Sequence, residues 1–197
     1  MKELVPFEKW GMVAKDLKIA FDRIWNSGFS KYILELWGKY CDLTISVSGH
    51  GYGSCLGQMT AVKIAQLQWW PPSQMFFVGY GTPRCGNEDF AYYVDQSLAD
   101  KFRVNWYADP IPQYPLTSCD RTGAAQLGRC TNSWYHCCTQ ILHKKEKVFG
   151  IEYTGEKKCK LPEDNGCLTG NKPSDHHSYY DTKGTMYNDV TCKGSDF

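Results

Sequence analysis

The sequence has no long apolar run, no excess of one charge and no internal repeat. No stretch approaches the ~18 consecutive apolar residues that a transmembrane helix needs, and residues 1–6 lack the apolar core of a signal peptide. A net charge of +1, with acids and bases interspersed, provides no field that would favour nucleic acid or an anionic membrane. The composition, 42% hydrophobic and 22% charged in 197 residues, therefore predicts one globular domain, residues 1–197.

Cysteine, in contrast, is abundant. The ten are Cys41, Cys55, Cys85, Cys119, Cys130, Cys137, Cys138, Cys159, Cys167 and Cys192. This density is typical of disulfides formed outside the cytosol, so we expect a secreted, extracellular ancestry with a shortened N-terminus. Pairing cannot be deduced from spacing in general, but Cys159 and Cys167 enclose a short loop and are expected to pair.

Strands alternate with helices along the first two thirds of the chain, which predicts an α/β fold with a mostly parallel sheet. Apolar periodicity predicts helices over 8–26, 30–40 (capped by Ser30), 54–68 and 87–101, and strands over 43–48, 75–80, 102–107 and 147–153. We accordingly expect a helical N-terminal part (8–40), a βα core (43–115) and a Cys-rich, otherwise irregular region (116–197).

The segment Gly49-His50-Gly51-Tyr52-Gly53 has the frame of a nucleophile elbow, G-x-S-x-G, with Gly51 in the place of the serine. A strand before it and a helix after it are the context that this motif requires. A glycine has no side chain to deprotonate, so an acyl-enzyme cannot form at Gly51. Ser48 on the strand and Ser54 in the helix face other directions. Taken alone, the segment is equally a plain strand-to-helix turn.

Two residues fit the other positions of a catalytic triad. Asp109 directly follows the third strand, and His176 lies late in the chain, in the order Ser…Asp…His of α/β-hydrolases. His176 would accept the proton of a nucleophile, and Asp109 would orient the imidazole. By itself Asp109, which precedes Pro110, is equally an ordinary turn residue.

Two other patterns have simpler explanations. His176-His177, His136-Cys137-Cys138 and His143 suggest zinc, but they lack a zinc-ligand spacing, and adjacent cysteines do not easily share one tetrahedral ion. We therefore expect no metal and no cofactor. The segment Trp69-Trp70-Pro71-Pro72 is expected to pack locally at a helix end rather than against lipid.

Dispersed segments together resemble the fungal-type (class 3) lipase family, particularly its secreted animal branch. They are Lys18–Asn26 with Gly28, Val47–Gly53, Gly79–Asn87, Ala108–Pro112, Tyr135–Ile141, Glu163–Cys167 and Asp175–Tyr180. The resemblance implies an α/β-hydrolase-like fold and hydrolysis of acylglycerol or phospholipid esters. It places Asp109 at the catalytic aspartate, His176 at the base and Gly51 at the missing nucleophile.

The family takes an oxyanion donor, a lid and its first strands from sequence upstream of the helix at 8–26, and this chain has little there. We therefore expect a catalytically inactive relative that binds lipid or a partner protein. The alternatives are an active lipase or esterase with an unexpected nucleophile, and an extracellular interaction protein stabilised by disulfides. Without upstream strands, residues 43–47 would be an open apolar edge, through which we expect a homodimer.

Overall fold

A computed structural model describes residues 1, 3–117, 133–148, 151–159, 163, 167 and 170–179. The strands are β1 (Leu4–Pro6), β2 (Met12–Ala14), β3 (Ile45–His50), β4 (Met75–Tyr80), β5 (Gly86–Asn87), β6 (Asp100–Trp106), β7 (Trp134–Tyr135), β8 (Thr139–Val148) and β9 (Ile151–Lys158). The helices are α1 (Lys15–Ile24), α2 (Ser30–Tyr40), α3 (Tyr52–Gln66) and α4 (Glu88–Ser97), with a π-helical segment (Trp25–Phe29) between α1 and α2.

The main sheet has five described strands in the order β3-β4-β6-β8-β9. The first four are parallel and β9 runs antiparallel to β8, so the α/β prediction with a mostly parallel sheet is confirmed. Because parallel strands end at the same edge, the loops after β3, β4 and β6 meet there. The elbow and Asp109 lie directly after β3 and β6.

The predicted helix over 8–26 is wrong in its first half. β1 and β2 form an antiparallel hairpin, which β5 and β7 extend to a small second sheet, and α1 begins only at Lys15. The hairpin turn uses positive φ at Glu8 (53°) and Gly11 (103°), which hydrophobic periodicity cannot reveal. Trp10, which lies within the predicted helix, instead packs edge-on against Phe7.

The predicted break before α2 is confirmed, because Gly28 has φ of 110° inside the π-helical segment. Ser30 is not a cap: it is already helical, and no side chain caps α2.

The region after Leu116 is also more regular than predicted. Instead of one strand over 147–153, β8 and β9 form a long hairpin over residues 139–158. In the sequence, the lysines and the glutamate at 144–147 obscure the apolar pattern at the start of β8, where Leu142 is buried.

The largest core lies between the sheet and the helices α1, α3 and α4. Trp70 is buried in it and Trp69 stacks on Trp25, so the expected local packing of this pair is confirmed. Within the described ranges, no helix is long and apolar enough to cross a membrane.

Three disulfides join described cysteines: Cys55–Cys85, Cys137–Cys138 and Cys159–Cys167. The expected pairing of Cys159 with Cys167 is confirmed. Cys41 is exposed and unpaired, and the expectations for Cys119, Cys130 and Cys192 lie outside the described residues. The first of these bonds fastens α3 to the segment before β5, close to the sheet edge where the site lies.

Candidate active site

The elbow is a sharp turn between β3 and α3. Gly51 has φ 54° and ψ −125°, and its N–H donates to the carbonyl of Tyr80 at the end of β4, at 2.8 Å. An ideal Cβ at Gly49 would lie 2.5 Å from the carbonyl oxygen of Gly53, whereas one at Gly53 meets nothing within 4 Å. The strand and the helix therefore approach each other so closely that Gly49 admits no side chain.

Asp109 is fully buried just after β6. Its Oδ2 accepts hydrogen bonds from His176 Nδ1 at 2.9 Å and from the Tyr179 hydroxyl at 2.7 Å. Its Oδ1 accepts from the backbone N–H of Ile111 at 2.8 Å. As an acceptor for His176 Nδ1, this carboxylate fixes the imidazole in the tautomer with its proton on Nδ1. Nε2 is then available for chemistry.

His176 faces the elbow. An ideal Cβ at Gly51 would lie 2.8 Å from His176 Nε2, and this nitrogen has no hydrogen bond to any described residue. The structure therefore brings together all three positions predicted from the sequence. Gly81 also belongs here, because a Cβ at that residue would lie 2.7 Å from Asp109 Oδ2 and 3.0 Å from His176 Nδ1.

The segment that carries His176 is attached to the sheet edge at two further points. Asp175 Oδ2 accepts from the backbone N–H of Ala108 at 3.1 Å. His50 Nε2 donates to the carbonyl of His176 at 2.8 Å. Burial, reinforced by the proximity of His176, lowers the pKa of His50, so His50 is a neutral donor at pH 7.

The two serines near the elbow do not take the place of the missing side chain. Ser54 is fully buried, and its hydroxyl donates to the carbonyl of Gly51 at 2.7 Å. Ser48 is exposed on β3, before the turn. Both positions agree with the sequence-based expectation that neither serine replaces residue 51.

A cavity of about 360 Å³ opens beside His176. Its other walls are mostly apolar and come from Met1, Tyr52, Pro83, Ile111, Tyr114 and Pro115. Burial and a hydrogen bond to Asp16 raise the pKa of the Tyr52 phenol, so this hydroxyl is neutral at pH 7. The cavity lies within the ~300–1,000 Å³ range of small-molecule sites, and the imidazole of His176 forms part of its wall.

An ion pair supports one wall of this cavity. Arg84 binds both carboxylate oxygens of Glu163, at 2.9 and 2.6 Å, and its other nitrogen donates to the carbonyls of Gln113 and Pro115. Glu163 also accepts from the backbone N–H of His136. The family-like segments contain Arg84 and Glu163, but the sequence gives no sign that the two residues pair. Tyr179 and His50 were likewise missed, although both lie inside such segments.

The structure does not unite the histidines and cysteines that suggested zinc. Among the described residues, the one group of three potential metal ligands is Asp95, Cys137 and Cys138, and its cysteines are bonded to each other. His136 Nε2 donates to the carbonyl of Pro112 at 2.7 Å, and burial lowers the pKa of its imidazole well below the usual range. That ring is therefore neutral, and its Nε2 is already hydrogen-bonded to Pro112.

Comparison with known proteins finds similar sequences. The profile described as lipase (class 3) matches residues 6–119. The lipase ZK262.3 of Caenorhabditis elegans is 25% identical over 198 residues, covering 91% of this chain and 55% of that protein. The secreted mono- and diacylglycerol lipase 1 of Fusarium solani is 32% identical over 69 residues, covering 35% of this chain and 20% of that protein.

The fold is also shared with solved structures. The native Rhizomucor miehei lipase propeptide complex superposes with a TM-score of 0.72 at 20% identity, covering 92% of this chain and 56% of that chain. The predicted α/β-hydrolase-like fold is thereby confirmed. The chain spans about half of the length of this structure and of the nematode lipase, and a smaller share of the Fusarium protein.

The two elbow glycines give a matched test of this geometry. We expect Gly49→Ala to lower the free energy of unfolding by roughly 2 kcal/mol or more, because its Cβ must displace the backbone of Gly53 and Ser54. Gly53→Ala should leave stability unchanged or raise it slightly, since its Cβ meets open space in a helix. Urea unfolding followed by tryptophan fluorescence measures both; equal effects would contradict the close approach of β3 and α3.

Proposed function

The chain belongs to the class 3 lipase family, and we propose that it is a member that binds lipids or lipid esters without hydrolysing them. One observation carries this proposal: the base His176 is aimed at Gly51, a residue with no side chain. Acyl transfer in this family's chemistry needs a hydroxyl at that point. In a serine protease, loss of the nucleophile lowers turnover by roughly 10⁶-fold.

The cavity beside His176 supports a remaining role in binding. Its walls are largely apolar, as an acyl chain requires, and one end carries a nitrogen that can donate or accept a hydrogen bond. The Fusarium relative is named as a mono- and diacylglycerol lipase, and the nematode relative is named as a lipase. We infer that the ligand belongs to the same broad class, a molecule with an acyl chain.

An active enzyme with another nucleophile is the competing proposal, but the positions of the neighbouring serines do not favour it. Ser54 would have to give up its hydrogen bond to the Gly51 carbonyl and leave a fully buried site. Ser48 lies on the strand before the turn. Both serines would therefore have to move before either could reach His176.

We propose that the protein acts outside the cell. Three disulfides are formed by described cysteines, and such bonds persist in oxidising compartments. The Fusarium relative carries the word secreted in its name.

We also propose that the protein forms a homodimer through residues 43–47. β3 is an edge of the main sheet as far as its strands are described, and Leu43, just before it, is 55% exposed. An edge of this kind offers unpaired backbone groups and apolar side chains to a second chain.

Ester hydrolysis tests the proposed loss of turnover directly. We expect the wild-type protein to hydrolyse p-nitrophenyl butyrate no faster than buffer does. His176→Ala should give the same rate, because residue 51 has no hydroxyl that the imidazole could deprotonate. Release of p-nitrophenol measures the rate. Saturable hydrolysis by the wild type that disappears in His176→Ala would overturn the proposal.

Restoring the hydroxyl tests how much of the machinery remains. We expect Gly51→Ser to be labelled covalently by a serine-directed alkyl phosphonate, because the new side chain meets His176 Nε2 once that ring shifts by a few tenths of an ångström. The positive φ at residue 51 should cost roughly 1–2 kcal/mol of stability. Gly53→Ser, whose Cβ meets open space, is the matched control and should remain unlabelled.

That labelling is read by mass spectrometry of the modified peptide. Labelling that also requires His176, and is therefore absent in the Gly51→Ser/His176→Ala double variant, supports the retained arrangement of acid and base. A folded Gly51→Ser protein that stays unlabelled would show that the acid and base do not activate a hydroxyl at this position.

Self-association is tested by sedimentation velocity. We expect Leu43→Lys to shift a dimer towards monomer, because a charge at the sheet edge opposes pairing with a second copy. Leu116→Lys is the control, since Leu116 is 76% exposed and lies outside residues 43–47. A wild type that is monomeric at every concentration tested would contradict the dimer.

A further inference from the structure

We propose that the cavity beside His176 selects a free long-chain carboxylate rather than an ester, with the carboxylate bound at His176 Nε2. This rests on the proposed function, because a site that hydrolysed esters would not be specialised for binding the acid. It also goes further, since it names the chemical group that the site recognises and the residue that recognises it.

Asp109 prepares His176 for this role. The buried carboxylate holds the imidazole through Nδ1 at 2.9 Å, so Nε2 is the ring nitrogen left for a ligand. At pH 7 a fatty acid arrives as the carboxylate, so the bond to Nε2 forms with uptake of one proton from water, and the ring becomes an imidazolium between two carboxylates. The resulting N–H···O bond is charge-assisted and roughly twice as strong as a neutral one. An ester has no negative charge to stabilise the proton on Nε2.

The hydrogen bonds around Asp109 reduce its repulsion of a second carboxylate. Its oxygens already accept hydrogen bonds from His176, Tyr179 and the N–H of Ile111. These donors and the imidazolium lie around the buried charge. His50, the other imidazole beside His176, is neutral and hydrogen-bonded to the His176 carbonyl, so it stabilises the position of the segment rather than competing for the ligand.

Gly51 leaves Nε2 available. The place 2.8 Å from this nitrogen, which a side chain at residue 51 would occupy, holds no atom of residue 51. In a hydrolase the serine hydroxyl uses the base nitrogen in the resting state. Here the same nitrogen can bind a proton and turn it towards a ligand, so the absence of a side chain at residue 51 also leaves room for an anion.

The remaining cavity suits the chain of the acid. Its volume of about 360 Å³ and its walls of Pro83, Ile111, Pro115 and two tyrosines offer apolar contact. Each additional methylene that becomes buried should strengthen binding by roughly fourfold. A carboxylate at one end and an apolar chain at the other match a fatty acid of medium or long chain.

Calorimetric titration of the whole protein at pH 7 with decanoate, methyl decanoate and decan-1-ol tests the proposal. We expect decanoate to bind one site per chain at least about tenfold more tightly than the ester or the alcohol, the difference expected for one charge-assisted hydrogen bond. His176→Gln should remove this preference. His177→Gln, a change at the exposed neighbour of His176, should preserve it.

Gly51→Ala provides a second variant in case His176→Gln does not fold. Its Cβ would lie 2.8 Å from Nε2, so it should weaken the binding of decanoate more than that of the ester or the alcohol. Equal binding of acid, ester and alcohol, or no binding of decanoate, would overturn the acid preference. Conversion of methyl decanoate to decanoate during the titration would instead overturn the proposed absence of hydrolysis, so the two failures are distinguishable.

Discussion

The buried carboxylate of Asp109 is the contact on which the site depends. It joins the end of β6 to a segment more than 60 residues further along, through His176 (separation 67) and Tyr179 (separation 70). Burial of an unpaired carboxylate would cost several kcal/mol, so the folded state strongly favours docking of this segment. Asp109 therefore builds the site as well as orienting the imidazole of His176.

None of these contacts requires a hydroxyl at residue 51. The elbow is fixed by the hydrogen bond from the Gly51 N–H to the Tyr80 carbonyl and by the close approach at Gly49. Glycine also adopts the positive φ at residue 51 with less strain than serine would. Glycine at residue 51 is thus compatible with the turn and with the contacts that fix it.

Local patterns in the sequence were enough to predict β4 with its observed bounds. They also located Gly51 directly after β3 and Asp109 just after β6, because turn glycines and strand ends mark the loops. The catalytic roles assigned to Gly51, Asp109 and His176 stay predictions. The β1–β2 hairpin was missed because its turn depends on φ at Glu8 and Gly11. The pairing of Arg84 with Glu163, 79 residues apart, depends on tertiary contacts that no local pattern contains.

That ion pair also holds the wall of the cavity in place. Arg84 and Glu163 are both nearly buried, and Arg84 also binds the carbonyls of Gln113 and Pro115, next to the cavity wall. Removing one partner would leave an uncompensated buried charge, at a cost of roughly 3–5 kcal/mol. The stability of the fold thus maintains this wall. A cavity held in this way, with an imidazole fixed by Asp109 at its end, needs no nucleophile to bind a ligand.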